Sequence, residues 1–82
     1  MTNREKLKGL LIDVFLLDES EFRFDLTRED IGTWDSLGTV SLAVGLQDVF
    51  GHHLSPAEAT SLASVEDIVA ILRSKGVDLP DA

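Results

Sequence analysis

The chain has 82 residues, enough for one domain with a small core. It contains no cysteine, which excludes disulfides and thiolate zinc sites; any thioester would need a sulfur supplied from outside the chain. Fifteen acidic against seven basic side chains give a net charge of −8, which opposes binding to a nucleic-acid backbone and favours basic partner surfaces; the 44% apolar content is that of a folded domain.

The opening residues, Met1-Thr2-Asn3-Arg4-Glu5-Lys6, lead into an amphipathic pattern and not into a signal peptide, and no apolar run is long enough to span a bilayer. The expected location is the cytoplasm. Leu7, Leu10, Leu11, Val14 and Phe15 recur at helical spacing and predict a first helix over about 4–17. Ile12 and Leu16 fall off that face, so the following loop is expected to cover part of it.

Residues 18–35 mix acids with Phe22, Phe24, Leu26, Ile31 and Trp34. The alternation at 22–26 fits a strand, but no partner strand is present and a lone strand is unstable. A long ordered loop is expected instead, pinned by its apolar residues, and loops of this length are often functional. Trp34 reads as a packing anchor rather than a ligand-stacking residue.

The second helix is predicted over 36–50. Ser36 is a suitable N-cap, Asp35 complements the helix dipole, and Gly51 suits a left-handed C-terminal cap. Ser55-Pro56-Ala57-Glu58 is a capping box with proline at the first helical position, and it opens a short third helix over 56–62. The fourth is predicted over 65–75, with Glu66 and Asp67 in its first turn, Arg73 and Lys75 near its end and Gly76 as the stop. The tail, 77–82, contains Pro80 and is expected to be loose.

On a helical wheel, Leu42, Leu46, Val49 and Phe50 share one side of the second helix and would face the bundle. Leu37, Val40 and Val44 form an opposite stripe that starts beside Ser36, with Ser41 and Asp48 on the same side. A second apolar stripe on a small-bundle helix suggests either a docking surface or cover by the preceding loop.

The run Trp34-Asp35-Ser36-Leu37-Gly38-Thr39-Val40, followed by Leu42, Leu46 and Phe50, resembles the acyl carrier protein family. The resemblance covers nearly the whole chain and implies an all-α, four-helix bundle of that type, with a long first loop and a short third helix. It implies that Ser36 carries a 4'-phosphopantetheine arm, donated from coenzyme A by a phosphopantetheinyl transferase. The other implied partners are a loading ligase or acyltransferase and downstream biosynthetic enzymes. Docking would use Asp35, Leu37, Val40, Val44 and Asp48. An acyl pocket would draw on Leu46, Leu54, Ala59, Leu62 and Ile68, which are equally ordinary core positions.

Gly38, Ser41 and Gln47 are neutral where fatty-acid carriers commonly place acids on this helix. The run from Asp35 to Val40 is similar to D-alanyl carrier proteins and to carriers of specialised pathways. An amino acid or a short specialised acyl group is therefore an expected cargo. A discrete, monomeric carrier is expected; the alternatives are a carrier domain cut from a polyketide or non-ribosomal peptide synthase, or an unmodified interaction module on the same fold.

A catalytic role for Ser36 is not expected. The nearest base candidates, His52 and His53, lie beyond the far end of the same helix, and the Gly-x-Ser-x-Gly elbow is absent. His52-His53 lacks a third ligand at metal-binding spacing, and 18–30 lacks the pattern of a calcium loop.

Overall fold

A computed structural model describes residues 2–79. Among them are four α-helices and no strand: α1 (Asn3–Phe15), α2 (Ser36–Phe50), α3 (Pro56–Ser61) and α4 (Val65–Ser74), with short 3-10 turns at Glu19–Glu21 and Arg28–Asp30. The all-α bundle expected from the sequence is the fold found.

Capping chemistry sets the helix boundaries. Thr2 opens α1 through a capping box: the Glu5 N–H donates to Thr2 Oγ1, and the Thr2 N–H donates back to Glu5 Oε1, each at 3.1 Å. The expected box at α3 is also present. Ser55 Oγ accepts from the Glu58 N–H at 3.1 Å, and Glu58 Oε1 accepts from the Ser55 N–H at 2.9 Å. Ser64 caps α4 through the Asp67 N–H at 3.0 Å, and Gly51 closes α2 in the left-handed conformation, φ 73°.

At its C-terminus, α1 departs from expectation. It stops at Phe15, and Leu16 turns left-handed at φ 56°, with the amides of Leu16 and Leu17 both directed to the Ile12 carbonyl. The apolar pattern runs through 16–17 without the glycine that usually marks such a cap, so periodicity alone overran the end. Leu16 is not covered by the loop; it is 81% exposed.

Helices α1 and α2 pack antiparallel. A Cβ built at Gly45 would sit 2.5 Å from Leu10 Cδ1, whereas one at Gly38 would meet Phe15 Cε1 at 3.4 Å. The end of α1 therefore lies beside the start of α2. The core between the helices is formed by Leu7, Leu11, Phe15, Leu42, Leu46 and Ile68, all essentially inaccessible.

The long loop is pinned as expected. Leu26, Ile31 and Trp34 are buried, and the Trp34 ring stacks on Phe15 with centroids 4.9 Å apart. Phe22 and Phe24 meet edge to face, and the Arg4 guanidinium lies 3.8 Å over Phe24. A single antiparallel bridge, Thr27 to Ser64, ties the loop to the α3–α4 junction; the Arg28 N–H donates to the Ala63 carbonyl and the Val65 N–H to that of Leu26.

The tail also differs from expectation. Leu79 is buried, its carbonyl accepts from Arg73, and the Asp78 carbonyl accepts from Asn3 Nδ2 at 2.9 Å. Apolar burial and two side-chain donors dock the tail as far as residue 79, which its proline-containing sequence did not reveal. Pro80 lies outside the described residues.

Candidate functional site at the start of α2

The loop delivers the chain to α2 through a fixed junction. Thr33 Oγ1 donates to the Phe15 carbonyl at 2.7 Å, satisfying one of the open acceptors at the end of α1. Arg28 Nε donates to the Trp34 carbonyl at 3.0 Å. With Trp34 anchored against Phe15, Asp35 and Ser36 are held at the surface, and both are exposed.

Asp35, not Ser36, is the N-cap. Its Oδ1 accepts from the Gly38 N–H at 2.9 Å, and its carbonyl accepts from the Thr39 N–H at 2.8 Å. Ser36 is the first residue of the helix. Serine and aspartate cap comparably well, so the choice between adjacent candidates rested on backbone geometry. The neighbouring carboxylate thus supplies the cap, and the Ser36 hydroxyl is not needed for it. With the Gly38 and Thr39 N–H groups taken by Asp35, those of Ser36 and Leu37 are the first-turn donors next to that hydroxyl that can serve an anion.

Leu37 is 78% exposed, Val40 61% and Val44 55%. The loop does not fold over them. Ser41 and Asp48 are exposed beside them. On the opposite side Leu42 and Leu46 are buried as expected, and Phe50 is partly buried. Val49 is an exception at 40% exposure, because it sits at the edge of the inward arc near the helix end.

Leu46, Leu54, Ala59, Leu62 and Ile68 are all buried, between 0% and 6% exposed. Four of them, Ala59 apart, belong to the common core cluster. An open trough of about 620 Å³ lies on another face, beside Trp34, with Arg28, Ile31 and Ala63 among its lining.

Two further residues shape this junction and were not singled out from the sequence for that purpose. Gly38 is buried, and any Cβ there would collide with the Thr33 carbonyl oxygen. Thr39 is buried beneath the first turn at 5% exposure. The only hint in the sequence was the poor helix propensity of a glycine so near a helix start.

Helix α2 is continuous over 15 residues, so the histidines beyond it stand about 20 Å or more from Ser36. His53 Nδ1 lies 3.3 Å from Gln47 Oε1. Among the described residues no group of three or more His, Cys, Asp or Glu side chains is placed to hold a metal ion. No described helix is long and apolar enough to cross a membrane.

No family model matches the sequence. It is 30% identical over 70 residues to the acyl carrier protein of Coprothermobacter proteolyticus, an alignment that covers 85% of both chains. It is 31% identical over 71 residues to the acyl carrier protein of Petrotoga mobilis, covering 87% of this chain and 84% of the relative. Fold and relatives together define a small helical carrier protein rather than an enzyme. The chain belongs to the acyl carrier protein family.

Proposed function

We propose that the chain carries an acyl or aminoacyl group as a thioester on a 4'-phosphopantetheine arm joined to Ser36 Oγ, and presents it to partner enzymes of a specialised biosynthetic pathway. The observation that carries this reading is the position of Ser36: exposed, at the first turn of α2, with capping done by Asp35. A transferase can approach this hydroxyl without breaking a helix cap. The backbone N–H groups of Ser36 and Leu37 favour a phosphate there, against the charge of Asp35, whose carboxylate is engaged with the Gly38 N–H. When bound, the arm supplies the thiol that a cysteine-free chain lacks.

Docking is assigned to Asp35, Leu37, Val40, Val44 and Asp48. The three apolar members are exposed in a stripe leading away from Ser36 and make no contribution to the core cluster. Exposed Ser41 and Gln47 leave this surface uncharged at their positions, and the Asp35 carboxylate is engaged with the Gly38 N–H. Apolar contact therefore outweighs ion pairing in recognition, which supports a specialised role over a housekeeping fatty-acid one.

A short or polar cargo, which can stay outside the closed apolar core, is the one this packing favours. Leu46, Leu54, Leu62 and Ile68 are packed together in the core, with Ala59 buried nearby. A long acyl chain entering between α2 and α3 has to part them. A short group gains little from entering, at roughly 25 cal/mol per Å² of apolar burial. A phosphopantetheinyl transferase, a loading ligase or acyltransferase, and downstream enzymes are the partners this reading requires, with the cytoplasm as the site of action.

The test is incubation with coenzyme A and a broad-specificity phosphopantetheinyl transferase, followed by intact mass measurement. Wild type should gain the mass of one arm, and Ser36→Ala none. Failure of wild type to gain mass with several transferases would remove the proposal.

A further inference from the structure

We propose that Leu16 is a second docking anchor, received in an apolar recess of the phosphopantetheinyl transferase that modifies Ser36. The inference rests on the attachment reading given above and adds a residue outside α2 to the recognition surface.

Leu16 does nothing for the fold that a smaller residue would not do better. Among the described residues it alone combines a positive φ, 56°, with a side chain other than glycine's. Leucine is disfavoured in this conformation because its Cβ crowds the backbone, and helices that end in this way usually place glycine at the turn. The side chain recovers nothing by packing, since it is 81% exposed, more than Leu37 or Val40. A disfavoured backbone that holds an apolar side chain in water is an outlier from which a functional role can be argued.

The position supplies that role. Phe15, the residue before Leu16, accepts from Thr33 Oγ1 at 2.7 Å, and its ring faces Gly38 in the first turn of α2. Because α1 and α2 are antiparallel, Leu16 sits at the same end of the bundle as Ser36 and Leu37. An enzyme that brings its active site to Ser36 Oγ has to cover this end.

The charge pattern specifies the partner's chemistry. The chain has no lysine or arginine between Glu29 and Leu72. The carboxylate nearest the serine, Asp35, is bonded to the Gly38 N–H. Exposed leucine and valine project at this end beside the Asp35 carboxylate, with no cation in that stretch of chain, and the matching surface is an apolar recess with a neutral or basic rim.

The experiment measures steady-state transfer of the arm from coenzyme A to the full chain by a broad-specificity transferase. Wild type is compared with Leu16→Gly, Leu16→Asn and Leu16→Met. Burying one exposed leucine corresponds to about a tenfold change in affinity, so KM should rise about tenfold in the glycine and asparagine variants. Their kcat should stay within about twofold, and the methionine variant, still apolar, should keep the wild-type KM. Thermal unfolding of Leu16→Gly should occur at the wild-type temperature or a few degrees above it, which separates lost docking from lost structure. The KM difference should persist at high salt.

A KM for Leu16→Gly and Leu16→Asn indistinguishable from wild type overturns the inference. So does a methionine variant as impaired as glycine. If sedimentation shows a wild-type dimer that Leu16→Gly dissolves, the residue serves a second copy of this chain and the inference is wrong. If wild type accepts no arm, the attachment reading falls first and this inference with it.

Discussion

The carbonyl oxygen of Thr33 occupies the space into which any side chain at position 38 would grow, so the loop and the first turn of α2 fit together only with Gly38 between them. Thr33 is fixed in turn by its hydroxyl on the Phe15 carbonyl. The junction thereby links the end of α1, the end of the loop and the residue pair that precedes the helix.

Gly38→Ala should therefore destabilise the protein, against its helix propensity. Alanine in a helix is worth about 1 kcal/mol over glycine. Forcing a Cβ against a pinned backbone carbonyl costs about 1–3 kcal/mol. A net loss of about 1 kcal/mol is expected, read as a lower urea midpoint at unchanged slope. A midpoint that rises would show that the loop yields freely.

The cap at Asp35 makes a separate prediction. Asp35→Ala removes the acceptor for the Gly38 N–H and should cost about 1 kcal/mol. Asp35→Asn keeps an acceptor and removes the charge. If capping is the main work of this side chain, the asparagine variant should match wild type in thermal midpoint and in its rate of arm transfer. An asparagine variant as stable as wild type but poorly modified would assign the charge to partner recognition.

Stability should fall in acid through three carboxylates, two exposed and one, Glu58, partly buried. Hydrogen bonds from the Thr2 backbone hold Glu5 below the usual carboxylate range, those from Thr27 do so for Asp30, and the Ser55 N–H followed by Lys75 does so for Glu58. Each folded-state pKa is lowered, so the unfolded chain binds more protons in this range. The contribution is complete above the ordinary carboxylate pKa and is lost as pH falls through about 4 and below. Glu58→Gln, which also loses the 3.1 Å pair with Lys75, should flatten the acid limb of a midpoint-against-pH curve. An unchanged limb would show that the capping box at α3 is not coupled to unfolding.

Much of the fold was legible because its boundaries are written in local chemistry. Ser55 with Glu58, Ser64, Gly51 and Gly76 each announce a helix end through a cap that side chain or backbone dictates. The misread boundaries are those where such a signal was absent or duplicated. Leu16 takes a left-handed cap without being glycine, and Asp35 and Ser36 are adjacent and equally able caps. Tail docking was hidden because it depends on Leu79 reaching the core and on Asn3, at the other end of the chain, reaching the Asp78 carbonyl, and because the nearer Arg73 contact to the Leu79 carbonyl carries no sequence signal. At the candidate site, the stripe of Leu37, Val40 and Val44 was visible as periodicity, but only packing showed that the loop leaves it uncovered. The pocket positions were readable as apolar and no further, since the same residues make a core.

The two faces of α2 should separate cleanly under mutation. Leu46 is fully buried, and Leu46→Ala should cost about 2–5 kcal/mol from lost burial and the cavity left behind. In an 82-residue domain whose total stability is on the order of 5–10 kcal/mol, that is a large fraction. Leu37 is 78% exposed, so Leu37→Ala should leave the thermal midpoint nearly unchanged, within about 0.5 kcal/mol. If Leu37 docks partners, the same substitution should slow arm transfer to Ser36 several-fold, with the loss in KM. The comparison requires both measurements on both variants. A Leu37→Ala protein that is modified at the wild-type rate would take that residue out of the docking surface, and one that unfolds early would show that the side chain packs somewhere in solution. Both results would contradict the division of α2 into an inward face that holds the bundle and an outward face left for partners.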